Sequence, residues 1–166
     1  MGGTDRELRI GENTPPVFGS PGMQEGAVMD TVALVHYQRD ARAHAVALEL
    51  AAQLHKYEIR SQIGDVTHSS AHELIYFDAL VLIGPLHFSR MHGLALIKAA
   101  FGFRPVALLL TGATDTDRVL RLLPKHMRTG VPVFTVGPEE VVSPGIDALV
   151  TWLRSMLGAG GYRSVS

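Results

Sequence analysis

The sequence predicts one α/β domain, a three-layer sandwich in which a parallel five-stranded sheet is covered by helices on both faces. Short, nearly continuous apolar runs recur along the chain, as is typical of strands buried on both faces. Between these runs, apolar residues recur at helical spacing. Strands that alternate with helices are joined by right-handed crossovers, which predicts that all five strands are parallel.

The predicted strands differ in polarity, and this difference orders them within the sheet. Residues 31–35, 79–83 and 106–110 are almost wholly apolar and are expected at the centre. In residues 58–63, Ile59 and Ile63 share one face with Ser61, while Arg60 and Gln62 point the other way, and one polar face is typical of an edge strand. Residues 131–136 form the last predicted strand. This pattern matches the strand order 2-1-3-4-5 of a doubly wound sheet.

The helices are predicted from apolar stripes and from capping residues. Thr114 or Asp115 caps the helix after the fourth strand, and Ser143 caps the last helix, which begins with Pro144 and ends at Gly158. The stripes of the four longer helices are Ala43, Val46, Ala47, Leu50 and Leu54; Leu94, Ile97 and Phe101; Val119, Leu122, Leu123 and Met127; and Ile146, Leu149, Val150, Leu153 and Leu157.

The two ends of the chain differ in composition from the middle. Residues 1–29 contain six Gly and three Pro and few large apolar side chains, which predicts a flexible leader. Residues 159–166 are expected to form a flexible tail. The folded domain is therefore expected to span residues 30–158.

The composition argues against several classes of function. Fifteen Lys and Arg against sixteen Asp and Glu leave no basic excess for binding nucleic acid. Because the chain has no cysteine, disulfides, thiolate catalysis and iron–sulfur clusters are excluded. No apolar run approaches the ~18 residues of a membrane helix, and the N-terminus lacks an apolar signal core. We therefore expect a cytoplasmic protein with no nucleic-acid partner and no membrane span.

The loop after the first strand is the first part of a candidate ligand site. In a sheet of this order, ligands bind beyond the carboxyl ends of strands 1 and 3. The loop leads into a helix N-terminus, which favours an anion, and Arg39 and Arg42 would add positive charge. In the alternative interpretation Asp40 caps the helix and places a carboxylate where a phosphate would bind. The predicted site residues of this loop are Tyr37, Gln38, Arg39, Asp40, Ala41 and Arg42.

The loops after strands 3 and 4 complete the candidate site. His87 or Phe88 would lie against a planar ring, although Leu86 and Phe88 would alternatively fill the top of the core. The predicted site residues are Pro85, Leu86, His87, Phe88 and Ser89 in one loop and Thr111 and Gly112 in the other.

Other familiar sites lack their motifs. Neither GxGxxG nor GxxxxGK[ST] occurs, so a classical dinucleotide site and a P-loop are not supported. The histidines at 36, 44, 87 and 92 form no HxH or HxxxH pair, and we predict no metal site. A phosphoacceptor receiver domain would need an acidic pair where His36 and Tyr37 stand. No catalytic residue is identified.

The region from about residue 31 to 101 carries a resemblance to a known family. Its features are Arg39-Asp40, the Val46-Ala47 helix, and the segment 76–84, YFDALVLIG. On these features the chain resembles the flavodoxin-like flavoproteins, and it is most similar to the branch containing menaquinone-dependent protoporphyrinogen oxidase. The resemblance implies FMN, with its phosphate on residues 37–43 and its ring between residues 85–92 and 111–115. It also implies a small-molecule or protein redox partner.

The phosphate loop departs from the family pattern, and this leaves two hypotheses. Where the family has two Ser/Thr, a Gly and a Thr, this chain has Tyr37, Gln38, Ala41 and Ala43. The first hypothesis is an FMN-dependent redox protein, either an electron carrier or a small oxidoreductase. The second is a domain that has lost flavin and serves as a regulatory, scaffold or protein-interaction module, for example as a homodimer. We adopt the first because the loop after Gly84 keeps its length and position.

Overall fold

The computed structural model describes residues 30–86, 90–112, 116–137 and 143–158. Several sequence-based predictions fall elsewhere in the chain. The leader at 1–29 and the tail at 159–166 lie outside the described residues, and so do the alternative helix caps Thr114 and Asp115 and the predicted site residues His87, Phe88 and Ser89.

The five strands form one parallel sheet in the order β2-β1-β3-β4-β5, which confirms the predicted fold class and strand order. All residues of β1, β3 and β4 are buried, as expected for the three most apolar strands. β2 lies at one edge and is mostly half-buried. The strands are β1 (Thr31–His36), β2 (Arg60–Asp65), β3 (Ala79–Gly84), β4 (Val106–Thr111) and β5 (Val133–Val136).

Helices cover both faces of the sheet and bury two apolar clusters. The cluster on one face includes Val32 and Leu34 and packs against α1 and α5, whereas the other includes Ala33 and Val35 and packs against α2, α3 and α4. Successive residues of β1 thus point to opposite faces, as strand geometry requires. The helices are α1 (Ala41–His55), α2 (Ala71–Leu74), α3 (Leu94–Ala100), α4 (Thr116–Leu120) and α5 (Pro144–Gly158).

The last helix forms as predicted. The Ser143 hydroxyl accepts a hydrogen bond from the backbone N–H of Ile146 at 3.2 Å, and Pro144 begins the helix. Gly145 lies so close to β5 that a Cβ at this position would be 1.7 Å from the carbonyl oxygen of Thr135. Only glycine therefore allows α5 to pack at this distance.

The prediction of one long helix after β4 was wrong. α4 ends at Leu120, and a separate 3₁₀ turn spans Lys125–Met127. Pro124, which lacks a backbone N–H and clashes with the preceding turn of a helix, separates the two. Val119, Leu123 and Met127 are nevertheless buried in the same cluster, so the apolar pattern predicted their burial but not their local conformation.

Two predicted strands begin later than expected. β2 starts at Arg60 rather than at residue 58, because Glu58 has a φ of 61° and belongs to the turn that leaves α1. β5 starts at Val133 rather than at residue 131. Among the described residues, no helix has the length and hydropathy that are needed to cross a membrane.

Candidate functional site

An open crevice of about 510 Å³ lies beyond the carboxyl ends of β1, β3 and β4. Its volume is within the range of small-molecule sites, and it lies at the predicted switch between β1 and β3. Eight predicted site residues line it: Tyr37, Arg39, Asp40, Ala41, Arg42, Pro85, Thr111 and Gly112.

The remaining predicted site residues differ in their placement. Gln38 and Leu86 are described but do not line the crevice, and Leu86 packs against one of the core clusters. Ile83, Gly84 and His92 line the crevice although they were not among the predicted site residues. Ile83 and Gly84 are the last residues of the buried strand β3, and the apolar pattern of that strand does not indicate that its final residues line the crevice.

Tyr37 and His92 form a stacked pair at the crevice. Their ring centroids are 4.3 Å apart and the ring planes differ by 8°. Gly93 follows with a φ of 87°, and a Cβ there would lie 2.6 Å from Cγ1 of Val66. A glycine is therefore needed immediately after His92. The stacked rings of Tyr37 and His92 provide aromatic surface in the part of the crevice that the structure describes.

His36 is a buried histidine at the end of β1 with partners on both ring nitrogens. Nδ1 lies 2.8 Å from the carbonyl oxygen of Tyr37. Because a carbonyl oxygen only accepts hydrogen bonds, Nδ1 carries a proton. Nε2 lies 3.1 Å from Nδ1 of His44 in α1. In the described part of the chain, no three His, Asp or Glu side chains are grouped in a way that would hold a metal ion.

Asp40 caps the N-terminus of α1. Its Oδ1 accepts a hydrogen bond from the backbone N–H of Ala43 at 2.9 Å, and its own N–H donates to the carbonyl oxygen of Tyr37 at 2.9 Å. The structure thus has the capping arrangement that the sequence offered as the alternative to a phosphate site. The Asp40 carboxylate therefore occupies the Ala43 N–H, one of the donors that a phosphate at this helix end would use.

Asp65 places a second carboxylate against the same loop. It is the register partner of His36 across β1 and β2, and its Oδ1 accepts a hydrogen bond from the backbone N–H of Gln38 at 2.9 Å. The Thr67 hydroxyl also donates to Asp65, and Nδ1 of His68 lies 2.7 Å from Oδ2. This contact between β2 and the loop after β1 was not predicted from the sequence.

These contacts keep Asp65 ionised. Partial burial acts to raise the pKa of its carboxyl, but hydrogen bonds from Thr67, His68 and the backbone N–H of Gln38 outweigh burial, so the pKa lies below the usual value of 3.8. The Asp65 side chain is only 13% exposed. The negative charge of Asp65 therefore lies next to the backbone N–H of Gln38, in the loop that follows β1.

The two arginines of the loop are arranged differently. The guanidinium group of Arg42 donates a hydrogen bond to the carbonyl oxygen of Gly137, which directly follows β5. Arg42 therefore connects the start of α1 with the residue that follows β5. Arg39 is exposed at the crevice edge.

The crevice fits the two ends of FMN unequally. At the ring end, Pro85 and Gly112 lie at the strand ends, and a Cβ at Gly84 would meet nothing within 4 Å. The crevice is therefore open beside Gly84. At the phosphate end, carboxylates already accept the N–H groups of Gln38 and Ala43. The crevice thus has open space beside Gly84, whereas the hydrogen bonds of Asp40 and Asp65 do not fit a phosphate on the loop after β1.

Comparisons with known proteins identify the fold. No family model matches the chain. No curated protein matches it either. Among solved structures, a short-chain flavodoxin associated with a non-canonical PDU bacterial microcompartment is 13% identical, with a TM-score of 0.57 over 80% of this chain and 100% of that one.

Two further solved structures agree with this match. The flavodoxin of Streptococcus pneumoniae TIGR4 is 11% identical, with a TM-score of 0.55 over 78% of this chain and 99% of that one. The two-electron reduced flavodoxin of Megasphaera elsdenii is 15% identical, with a TM-score of 0.50 over 72% and 95%. Identities this low carry the fold alone, and the oxidase branch named from the sequence stays a prediction. The chain therefore has the flavodoxin-like α/β fold, with its crevice at the switch point of the sheet.

Proposed function

We propose that the protein binds a flavin by its ring system in this crevice and serves as a redox protein, either an electron carrier or a small oxidoreductase. The observation that carries the proposal is the crevice itself, which opens between β1 and β3 and has space at its ring end. The Megasphaera elsdenii flavodoxin, a structure of similar fold, is described in a two-electron reduced state. FMN is proposed as the flavin because the sequence resembles the flavodoxin-like flavoproteins.

Residues of three loops would hold the ring. Gly84 and Pro85 would lie on one side, Thr111 and Gly112 on another, and the Tyr37–His92 pair would provide aromatic surface. The predicted contacts of His87, Phe88 and Ser89 stay part of this proposal. A bound flavin supplies the electron-transfer chemistry, whereas the residues of this chain orient the ring and exclude water from it. The electron partner would be a small molecule or another protein.

The test is a flavin titration of the full-length protein. We expect the purified protein to quench the fluorescence of added flavin, and we expect Gly84→Leu, which fills the ring end, to abolish quenching. Gly158→Leu is the matched control, because a Cβ there also meets nothing within 4 Å but lies outside the crevice. Circular dichroism checks that both variants fold. A folded wild-type protein that quenches neither FMN nor riboflavin would contradict the proposal.

A flavin-free protein-interaction module is the second candidate. Asp40 and Asp65 favour it, because their carboxylates accept N–H groups of the loop that would hold a phosphate. Among the described residues, four large apolar side chains are exposed and would be available for contact with a partner, including a second copy of this chain: Leu48, Tyr57, Tyr76 and Phe103. A colourless protein that binds no flavin and sediments as a dimer would support this candidate.

A further inference from the structure

We infer that the crevice recognises the ring of a flavin but not its phosphate, so that riboflavin binds about as tightly as FMN. The inference rests on the proposed function, because it takes a flavin as the ligand. It deepens that function by naming the chemical form of flavin that the site accepts.

Backbone N–H groups of the loop after β1 already have acceptors within the protein. A phosphate at a helix N-terminus is held by backbone N–H groups that lack partners within the protein. In this chain the N–H groups of Gln38, Asp40 and Ala43 already donate to Asp65, to the Tyr37 carbonyl and to Asp40, each at 2.9 Å. A phosphate would have to displace these contacts before it could use any of these three N–H groups.

The carboxylates of Asp40 and Asp65 carry the same sign of charge as a phosphate. A phosphate monoester carries a charge of roughly −1.5 to −2 at pH 7. The loop would present this group with the carboxylates of Asp40 and Asp65, and salt screens the largely buried Asp65 less than it screens a surface charge. Asp40, which lines the crevice, would repel the phosphate there, and Asp65, which is hydrogen-bonded to the N–H of Gln38 in the same loop, would add to the negative charge nearby.

Arg39 and Arg42 are the cationic side chains of this loop. Arg39 and Arg42 are balanced by the carboxylates of Asp40 in the loop and Asp65 at the end of β2, so these four side chains together carry no net charge. Arg42 is directed to the carbonyl oxygen of Gly137 and helps to hold the loop to the end of β5. To contact a phosphate, its guanidinium group would have to leave that position.

The experiment compares FMN with riboflavin by fluorescence titration of the full-length protein. We expect the two dissociation constants to agree within about threefold, and the FMN value to change little with salt. In the double variant Asp40→Gly with Asp65→Asn, which removes both carboxylates and frees the Ala43 N–H, we expect FMN to bind about tenfold more tightly. Riboflavin binding should change less than about threefold.

Two further variants make the comparison specific. Glu49→Gln removes one negative charge from α1 outside the crevice and should leave both affinities unchanged. Asp40→Asn keeps a good helix cap and removes only the charge, so it replaces the double variant if that variant does not fold. Asp40→Asn should still bind FMN more tightly than the wild-type protein does.

The outcomes separate the two proposals. If the folded protein binds neither flavin, both the proposed function and this inference are overturned. If FMN binds more than about threefold more tightly than riboflavin, the flavin function stands and this inference alone is overturned. If removal of the carboxylates leaves FMN binding unchanged, the inference is also overturned, because its physical cause is absent.

Discussion

The imidazole of His92 lies face to face with the phenol ring of Tyr37, and this stacking joins the loop after β1 to the residue that precedes Gly93 at the start of α3. Tyr37 is half-buried and His92 is exposed. The pair therefore contributes to the surface of the crevice more than to the core, and its removal should affect ligand binding more than stability.

The variant His92→Ala tests this expectation. A contact between the His92 ring and a bound flavin would contribute about 0.5–1.5 kcal/mol, so loss of the ring should weaken flavin binding by roughly three- to tenfold. Because His92 is exposed, the free energy of unfolding should change by less than about 0.5 kcal/mol. Fluorescence titration and urea denaturation measure the two effects. His72→Ala, at an exposed histidine outside the crevice, is the control. Equal flavin affinities in wild type and His92→Ala would refute the role of the ring.

The Asp40 cap should contribute measurably to stability. Asp40→Ala leaves the N–H of Ala43 without the capping carboxylate, and we expect the free energy of unfolding to fall by about 1 kcal/mol. Asp40→Asn should stay close to wild type, since Asn caps helices about as well as Asp. Urea denaturation distinguishes these cases. Equal stability of the Ala and Asn variants would show that the cap does not stabilise α1.

Much of the fold follows from local sequence patterns. β1, β3 and β4 were predicted because strands buried on both faces need continuous apolar runs, and α5 was predicted because its stripe and the Ser143 cap agree. The order of the strands followed from the polarity of β2. In these cases the signal lies within the element itself.

The details of the site depend on contacts between distant residues. Asp65 meets the N–H of Gln38 across 27 positions because of the register between β1 and β2, which the sequence does not specify to the residue. Tyr37 meets His92 only because β1 and β3 are neighbours in the sheet. The capping role of Asp40 is local, and for that reason it was among the interpretations available from the sequence.

Asp65 should make stability depend on pH in the acid range. Its pKa in the folded protein lies below the usual value of 3.8, so its contribution is fully present above that value and is lost as the pH falls through the folded pKa. We expect Asp65→Asn to be less stable than wild type by about 1 kcal/mol at pH 7, with a difference that narrows below about pH 4. Urea denaturation at several pH values measures this. A difference that is constant down to pH 3 would contradict the assignment.

Two glycines provide the sharpest test of the packing. At Gly145 a Cβ would lie 1.7 Å from the Thr135 carbonyl oxygen, so Gly145→Ala must push α5 away from β5. We expect a loss of about 2–4 kcal/mol in the free energy of unfolding. At Gly84 a Cβ meets nothing within 4 Å, so Gly84→Ala should change stability by less than about 1 kcal/mol. Denaturation of both variants in urea gives the comparison. Similar stabilities would show that α5 does not pack on β5 as closely as described.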